Sequence, residues 1–107
     1  MTIDVFGTKR WVLNGKLHRE DGPACEDANG YKSWWFNGNR HRVDGPAIEF
    51  ADGSKYWCLN GELHREDGPA VEYPDGNKSW YINGVQLTER EWYEQTMFDE
   101  VRINAIE

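Results

Sequence analysis

Branched aliphatic residues are the first shortage. Leu, Ile, Val and Phe are few in this 107-residue chain, and 6 Trp and 5 Tyr take their place. No apolar run is long enough to cross a bilayer, and no leader pattern is read at the start of the chain. Cationic residues are also short, with 12 Lys and Arg against 19 Asp and Glu, a net charge of −7. Wrapping DNA or RNA, or lying on an anionic membrane, requires a cationic surplus, so neither is an expected partner. A basic partner fits this balance. There is no Gly-rich phosphate loop ahead of a helix, no Cys-x-x-Cys and no nucleophile elbow, so no familiar enzyme motif is present. Ser33 and Ser79 are equivalent strand residues, and Ser54 lies in a turn. Gly and Pro are missing from Val85 onward, although 11 Gly punctuate the chain before that point.

What is present is a repeat. Trp11, Trp34, Trp57 and Trp80 stand 23 residues apart. Asn14, Asn37, Asn60 and Asn83, each followed by Gly, keep the same step. So do His18, His41 and His64, each followed by Arg, and the D-G-P-A blocks at Asp21, Asp44 and Asp67. A fixed period without insertions signals stacked copies of one supersecondary unit. The chain is therefore read as one domain. Residues 1–10 form a degenerate half-repeat with Thr2 to Val5 as an edge strand, 11–87 the 23-residue repeats, and 88–107 a C-terminal helix and tail. Cys25 and Cys58 occupy different positions of the repeat, equivalent to Ile48 and Val71 in one case and to Val12, Trp35 and Tyr81 in the other. Free thiols acting as small apolar side chains are expected, not a disulfide.

Turn chemistry sets the register. Asn-Gly between strand-like runs favours a two-residue type I′ hairpin, which places Trp57 opposite His64 and Cys58 opposite Leu63. Pro74 before Asp75-Gly76 suits a three-residue hairpin with a bulge, which places Glu49 opposite Lys55, with Glu26–Lys32 and Glu72–Lys78 as equivalents. Opposite charges across a ladder stabilise it by roughly 0.2–1 kcal/mol per pair. Strand alternation then divides the residues. One side carries the repeated set of Ala, Glu, Lys, Trp, His and the apolar residue two after each Trp (Leu13, Phe36, Leu59 and Ile82), here called the ladder side. The other carries residues that change from copy to copy, here called the varying side. The expected fold is mainly β: an antiparallel meander of stacked β-hairpin repeats in a single twisted sheet, with one C-terminal capping helix. T-E-R-E at Thr88 to Glu91 is a capping box. Tyr93, Met97 and Val101, with Trp92 and Phe98 beside them, form the stripe expected to dock on the sheet.

Several residues invite a chemical reading. H-x-x-D occurs three times and suits a metal ladder or an acid–base pair. Three equal copies instead favour a structural use, with His stacked on its cross-strand Trp and Asp bonding the corner backbone, and no metal site is expected. Arg19, Arg42 and Arg65 suit an anion-binding row, or pair with neighbouring carboxylates. Val43 replaces Glu in the middle repeat, leaving Arg42 the least neutralised. Trp35, Tyr56, Tyr73 and Tyr81 fall on the varying side as an aromatic patch, and the register puts Arg65 opposite Tyr56 on that same side. The expected binding residues are thus Trp35, Arg42, Tyr56, Arg65, Tyr73 and Tyr81, with no catalytic residue and no cofactor.

The 23-residue step, the W-x-x-N-G turn, the following His and the closing D-G resemble the MORN repeat over residues 7 to 87. The form here, with H-R-x-D-G-P-A-x-E and a terminal L-T-E-x-E-[FW] helix, resembles a divergent version common in phages and large DNA viruses. MORN repeats carry His-Gly-x-Gly where this chain has His-Arg-x-Asp-Gly-Pro. The resemblance implies stacked hairpins and a scaffolding, dimerising or partner-binding role. The expectation is a non-enzymatic binding module, a phage or viral accessory protein engaging a host protein in an anti-defence role, in a reducing host cytoplasm. A sequestering protein for a small signalling nucleotide is the alternative, and a structural or homodimerising repeat scaffold is another.

Overall fold

A computed structural model describes residues 1–106 of the chain, and the side chains of residues 1–97. The protein is mainly β. Among the described residues the elements are β1 (Thr2–Ile3), β2 (Lys9–Arg10), β3 (Val12–Leu13), β4 (Lys16–Leu17), β5 (Cys25–Glu26), β6 (Lys32–Ser33), β7 (Trp35–Phe36), β8 (Asn39–Arg40), β9 (Ile48–Glu49), β10 (Lys55–Tyr56), β11 (Cys58–Leu59), β12 (Glu62–Leu63), β13 (Val71–Glu72), β14 (Lys78–Ile82), β15 (Val85–Leu87) and α1 (Glu89–Ile106). Nine strands form one antiparallel sheet in the order β1-β2-β5-β6-β9-β10-β13-β14-β15, and the Asn-Gly hairpins β3-β4, β7-β8 and β11-β12 form two-stranded ribbons beside it.

The strands are shorter and more numerous than an uninterrupted meander would give, because Trp11, Trp34 and Trp57 each belong to two ladders. The N–H groups of Trp11, Trp34 and Trp57 donate to the carbonyls of Ala24, Ala47 and Ala70 at 2.8, 2.7 and 2.7 Å. Their own carbonyls accept from His18, His41 and His64, each at 3.0 Å. The chain passes from sheet to hairpin at that residue.

The register follows the turn chemistry. Asn60 and Gly61 have φ of 50° and 84°, the left-handed pair that a type I′ turn demands, and Cys58 faces Leu63. At the other turn the Gly76 N–H donates to the Tyr73 carbonyl (3.0 Å), with Pro74 and Asp75 between them and Gly76 at φ 91°. Lys55 lies opposite both Glu49 and Glu72, and the same alternation runs through Lys9, Glu26, Lys32 and Lys78. The Glu side chains nevertheless turn elsewhere: Glu26 approaches Arg19 (3.7 Å) and Glu72 bonds Arg65 (3.1 Å).

Neighbouring hairpins are joined by backbone bonds. Arg65 N–H donates to the Tyr81 carbonyl (3.2 Å) and Gly84 N–H to the Leu63 carbonyl (2.8 Å), with equivalents one and two repeats earlier. The core is thin. Ala24, Ala47 and Ala70 are wholly buried, and Ile48, Val71 and Cys58 nearly so. Cys25 and Cys58 are free thiols, and burial pushes both up from the ordinary thiol range.

The capping box forms as expected. Thr88 N–H donates to a Glu91 carboxylate oxygen (2.9 Å) and Glu91 N–H to the Thr88 hydroxyl (3.1 Å). The docking stripe is corrected, since Tyr93 and Met97 are 46% and 52% exposed. Trp92 is buried instead, and its indole N–H donates to the Arg65 carbonyl at 2.9 Å. The cap sets the helix phase: Thr88, Trp92 and Thr96, four residues apart, share one helical face. The side chains of Phe98 and Val101 lie outside the described residues. Trp92 and Tyr93 share a cleft with Lys78 and Trp80, and Gln95 and Thr96 share one with Ile82. All three strand residues belong to the repeated set, so α1 closes the end of the ladder side.

Candidate functional site

The ladder side is committed to its own assembly. Each repeated Arg lies flat on the ladder Trp: the guanidinium carbons of Arg19, Arg42 and Arg65 sit 3.8, 4.0 and 3.8 Å from the ring centres of Trp11, Trp34 and Trp57. Stacking of this kind stabilises by roughly 0.5–2 kcal/mol. The Arg65 Nε donates to Asp67 (2.8 Å), and the same guanidinium donates to the Pro69 carbonyl (3.0 Å) and to Glu72 (3.1 Å). Asp67 is highly exposed, so its ion pair adds little, and the stack and the carbonyl bond carry the clamp. The Gly of D-G-P serves by its lack of a side chain. A Cβ on Gly68 would stand 2.8 Å from the Arg65 guanidinium carbon, and Gly22 and Gly45 are equally close to Arg19 and Arg42. The Trp is therefore stacked by Arg, not by His, and the Asp carboxylate bonds Arg and not the corner backbone. This corrects the expected arrangement at both residues.

The histidines fasten one repeat to the next. Nδ1 of His18, His41 and His64 accepts the backbone N–H of Asn37, Asn60 and Asn83 at 3.0, 2.9 and 2.9 Å. An accepting Nδ1 carries no proton, so each ring is the neutral tautomer with its proton on Nε2. Nε2 faces Glu20 at 3.7 Å in the first repeat and Glu66 at 3.4 Å in the third, and Val43 takes the Glu position in the second. Among the described residues no three of His, Cys, Asp or Glu converge on a point that could hold a metal ion.

The varying side is built differently. A cross-strand row of Cys25, Ser33, Ile48, Tyr56, Val71 and Ser79 runs along it. Over that row lies a chain of edge-to-face rings: Tyr31 to Phe50 at 5.7 Å, Phe50 to Tyr56 at 4.9 Å and Tyr56 to Tyr73 at 6.3 Å between centres. Ile48 and Val71 in that row are buried; Tyr31, Phe50 and Tyr56 are half-buried and Tyr73 is exposed. The Tyr56 and Tyr73 hydroxyls are 3.4 Å apart. That hydrogen bond, then burial, then the neighbouring Tyr73 and Tyr81 push the Tyr56 phenol up to about 12.

Of the six residues expected to bind, Tyr56 and Tyr73 touch, and Tyr81 lies close enough to influence Tyr56. Trp35 shares the side: its indole N–H donates to Ser33 Oγ at 2.8 Å, and Arg40 lies 5.0 Å over its ring. Arg42 and Arg65 do not join them, because their guanidinium groups are held on Trp34 and Trp57 on the ladder side. Among the described residues Arg42 has one carboxylate partner, Asp44, where Arg19 and Arg65 have two. Tyr31 and Phe50 were missed as site residues. The signal for both was their position at the ends of bulged turns, Tyr31 closing one and Phe50 opening the next, in step with Tyr56 by strand alternation. No family model, curated protein or solved structure matches this chain. No helix among the described residues is long and apolar enough to cross a membrane.

Proposed function

We propose that the protein is a non-enzymatic, MORN-like binding module whose varying side engages a protein partner. The carrying observation is the aromatic run from Tyr31 through Phe50 and Tyr56 to Tyr73, half-buried and ending on the exposed Tyr73, on the side away from α1. Rigid aromatic rings with polar tips are the side chains that dominate protein interfaces. The ladder residues are held by one another, which leaves the copy-to-copy variation to serve recognition. A net charge of −7 favours a partner with a basic contact surface. The resemblance to phage and viral repeat proteins favours a host-cell partner, with inhibition of a defence component as the proposed role.

The nucleotide-sequestering alternative loses its expected phosphate contacts on the aromatic side, since Arg42 and Arg65 face the other way. It would have to use the groove on the ladder side where Arg19, Trp34, Phe36 and Arg42 meet. Capture from host lysate, followed by an affinity measurement with the purified partner, tests the main reading. The expected result is strong binding by the wild type, a loss of at least about tenfold in Tyr73→Ser, and little change in Arg42→Ala. Saturable Trp quenching by one nucleotide, abolished by Arg42→Ala and untouched by Tyr73→Ser, would overturn it.

A further inference from the structure

The two ends of the stack are finished differently. At the C-terminal end α1 packs beside Trp80 and Ile82. At the N-terminal end β1 is the outer strand of the sheet and nothing among the described residues lies beyond it. Six apolar residues are exposed there: Met1 at 64%, Ile3 at 58%, Val5 at 93%, Phe6 at 83%, Val12 at 54% and Leu13 at 50%.

Internal copies show what this end lacks. Ile3 is equivalent to Glu26, Glu49 and Glu72, which face Lys9, Lys32 and Lys55 of the preceding repeat. Val5 and Phe6 replace Ala28-Asn29, Ala51-Asp52 and Pro74-Asp75. The end strand has therefore exchanged a charged ladder position and two turn positions for apolar side chains. Its backbone is also open. Asp4 N–H donates to the Thr8 carbonyl within the β1–β2 pair (3.0 Å), and antiparallel bonding alternates, so the N–H and C=O of Ile3 point outward. Natural sheet edges are blunted by Lys, Pro or a bulge, and β1 carries none of them.

We infer that this end is closed by a second copy of the chain, with the two β1 strands paired antiparallel about a two-fold axis at Ile3. A two-fold places each residue at the axis opposite itself. An internal ladder position would then oppose Glu to Glu or Lys to Lys, which is repulsive. Ile3 alone among the ladder positions of its kind avoids this, and its outward N–H and C=O exchange both bonds with their own copies. The register also accounts for the remaining apolar residues. Val12 and Leu13 flank the edge on the Met1 side and Val5 and Phe6 flank it on the other, so the two-fold brings Val5 and Phe6 of each copy toward Val12 and Leu13 of the other. The small contact makes this a concentration-dependent dimer.

Sedimentation velocity over a wide protein concentration range tests the assignment, using wild type, Ile3→Glu, Ile3→Lys and an equimolar mixture of the two variants. Wild type is expected to shift from monomer to dimer. Each variant alone is expected to dimerise more weakly by on the order of tenfold, and the mixture to recover as a heterodimer. Circular dichroism confirms that the variants stay folded, as expected for so exposed a position. A wild type that stays monomeric throughout would overturn the inference. So would a dimer indifferent to both variants, or a mixture no more associated than its components.

Discussion

The two sides of the sheet use aromatic residues in opposite ways. On the ladder side Trp11, Trp34 and Trp57 are each stacked by an Arg at 3.8–4.0 Å, and that Arg is tied to an Asp and a Pro carbonyl. The hydrogen-bond partners of each of these guanidinium groups lie within its own repeat. On the varying side the rings meet edge to face and keep outward surface free, with a single long hydroxyl contact between Tyr56 and Tyr73. The first arrangement stabilises the stack, and the second leaves surface for a partner. Repetition in a solenoid is thus no mark of function. A ladder position must match its copies because it packs on them.

The comparison can be broken by substitution. Trp57→Ala should have the largest effect, about 3–5 kcal/mol in urea unfolding, because it removes the ring under Arg65 and opens a void beside Ala70. Gly68→Ala comes next. The added methyl must displace the Arg65 guanidinium, at about 1–3 kcal/mol. The matching change at Gly76, where no neighbour lies within 4 Å, tests backbone strain alone, since its φ is 91°. His64→Ala leaves the Asn83 N–H without its acceptor and should destabilise by about 1–3 kcal/mol, with faster exchange of that amide as the specific readout.

The varying side should respond less in stability and more in spectroscopy. The raised Tyr56 phenol favours the neutral form. Its contribution is complete below the ordinary tyrosine range and is lost as pH rises toward about 12. An ultraviolet titration should show one late tyrosine, and Tyr73→Phe should bring it back toward the others by removing the hydroxyl that holds it. The smallest effect concerns the helix cap. Hydrogen bonds from Thr88 N–H and hydroxyl hold Glu91 below the ordinary carboxylate range. A lowered pKa contributes fully above the unfolded value and is lost as pH falls through the folded one. Helix signal should therefore weaken only in acid, and Glu91→Gln should flatten that dependence.

Much of the architecture was legible in the residues. The Asn-Gly turns, the Pro74 bulge, the Lys–Glu register and the Thr88 capping box all follow from local chemistry acting over a few residues. The site was half legible. Alternation put Tyr56 and Tyr73 on one side correctly, because period two is a backbone property. It could not place the Arg side chains. Arg65 is long enough to reach back to Trp57, and the only trace of this in the sequence is a Gly three residues on, kept small to admit the guanidinium. The helix stripe misled for a similar reason. Helical spacing marks every apolar position alike, whereas the cap and the Arg65 carbonyl select Trp92.

The division of labour between the two sides is tested most directly by urea unfolding of Arg65→Ala beside the Tyr56→Ser/Tyr73→Ser double variant. The account predicts a loss of about 2 kcal/mol or more for the single ladder-side change, from the unstacked Trp57 and the Pro69 carbonyl left without its donor. It predicts less than about half of that for the double change, because those rings are already partly in water. A double variant as destabilised as Arg65→Ala, or more so, would show that the aromatic run is core and not a surface for a partner.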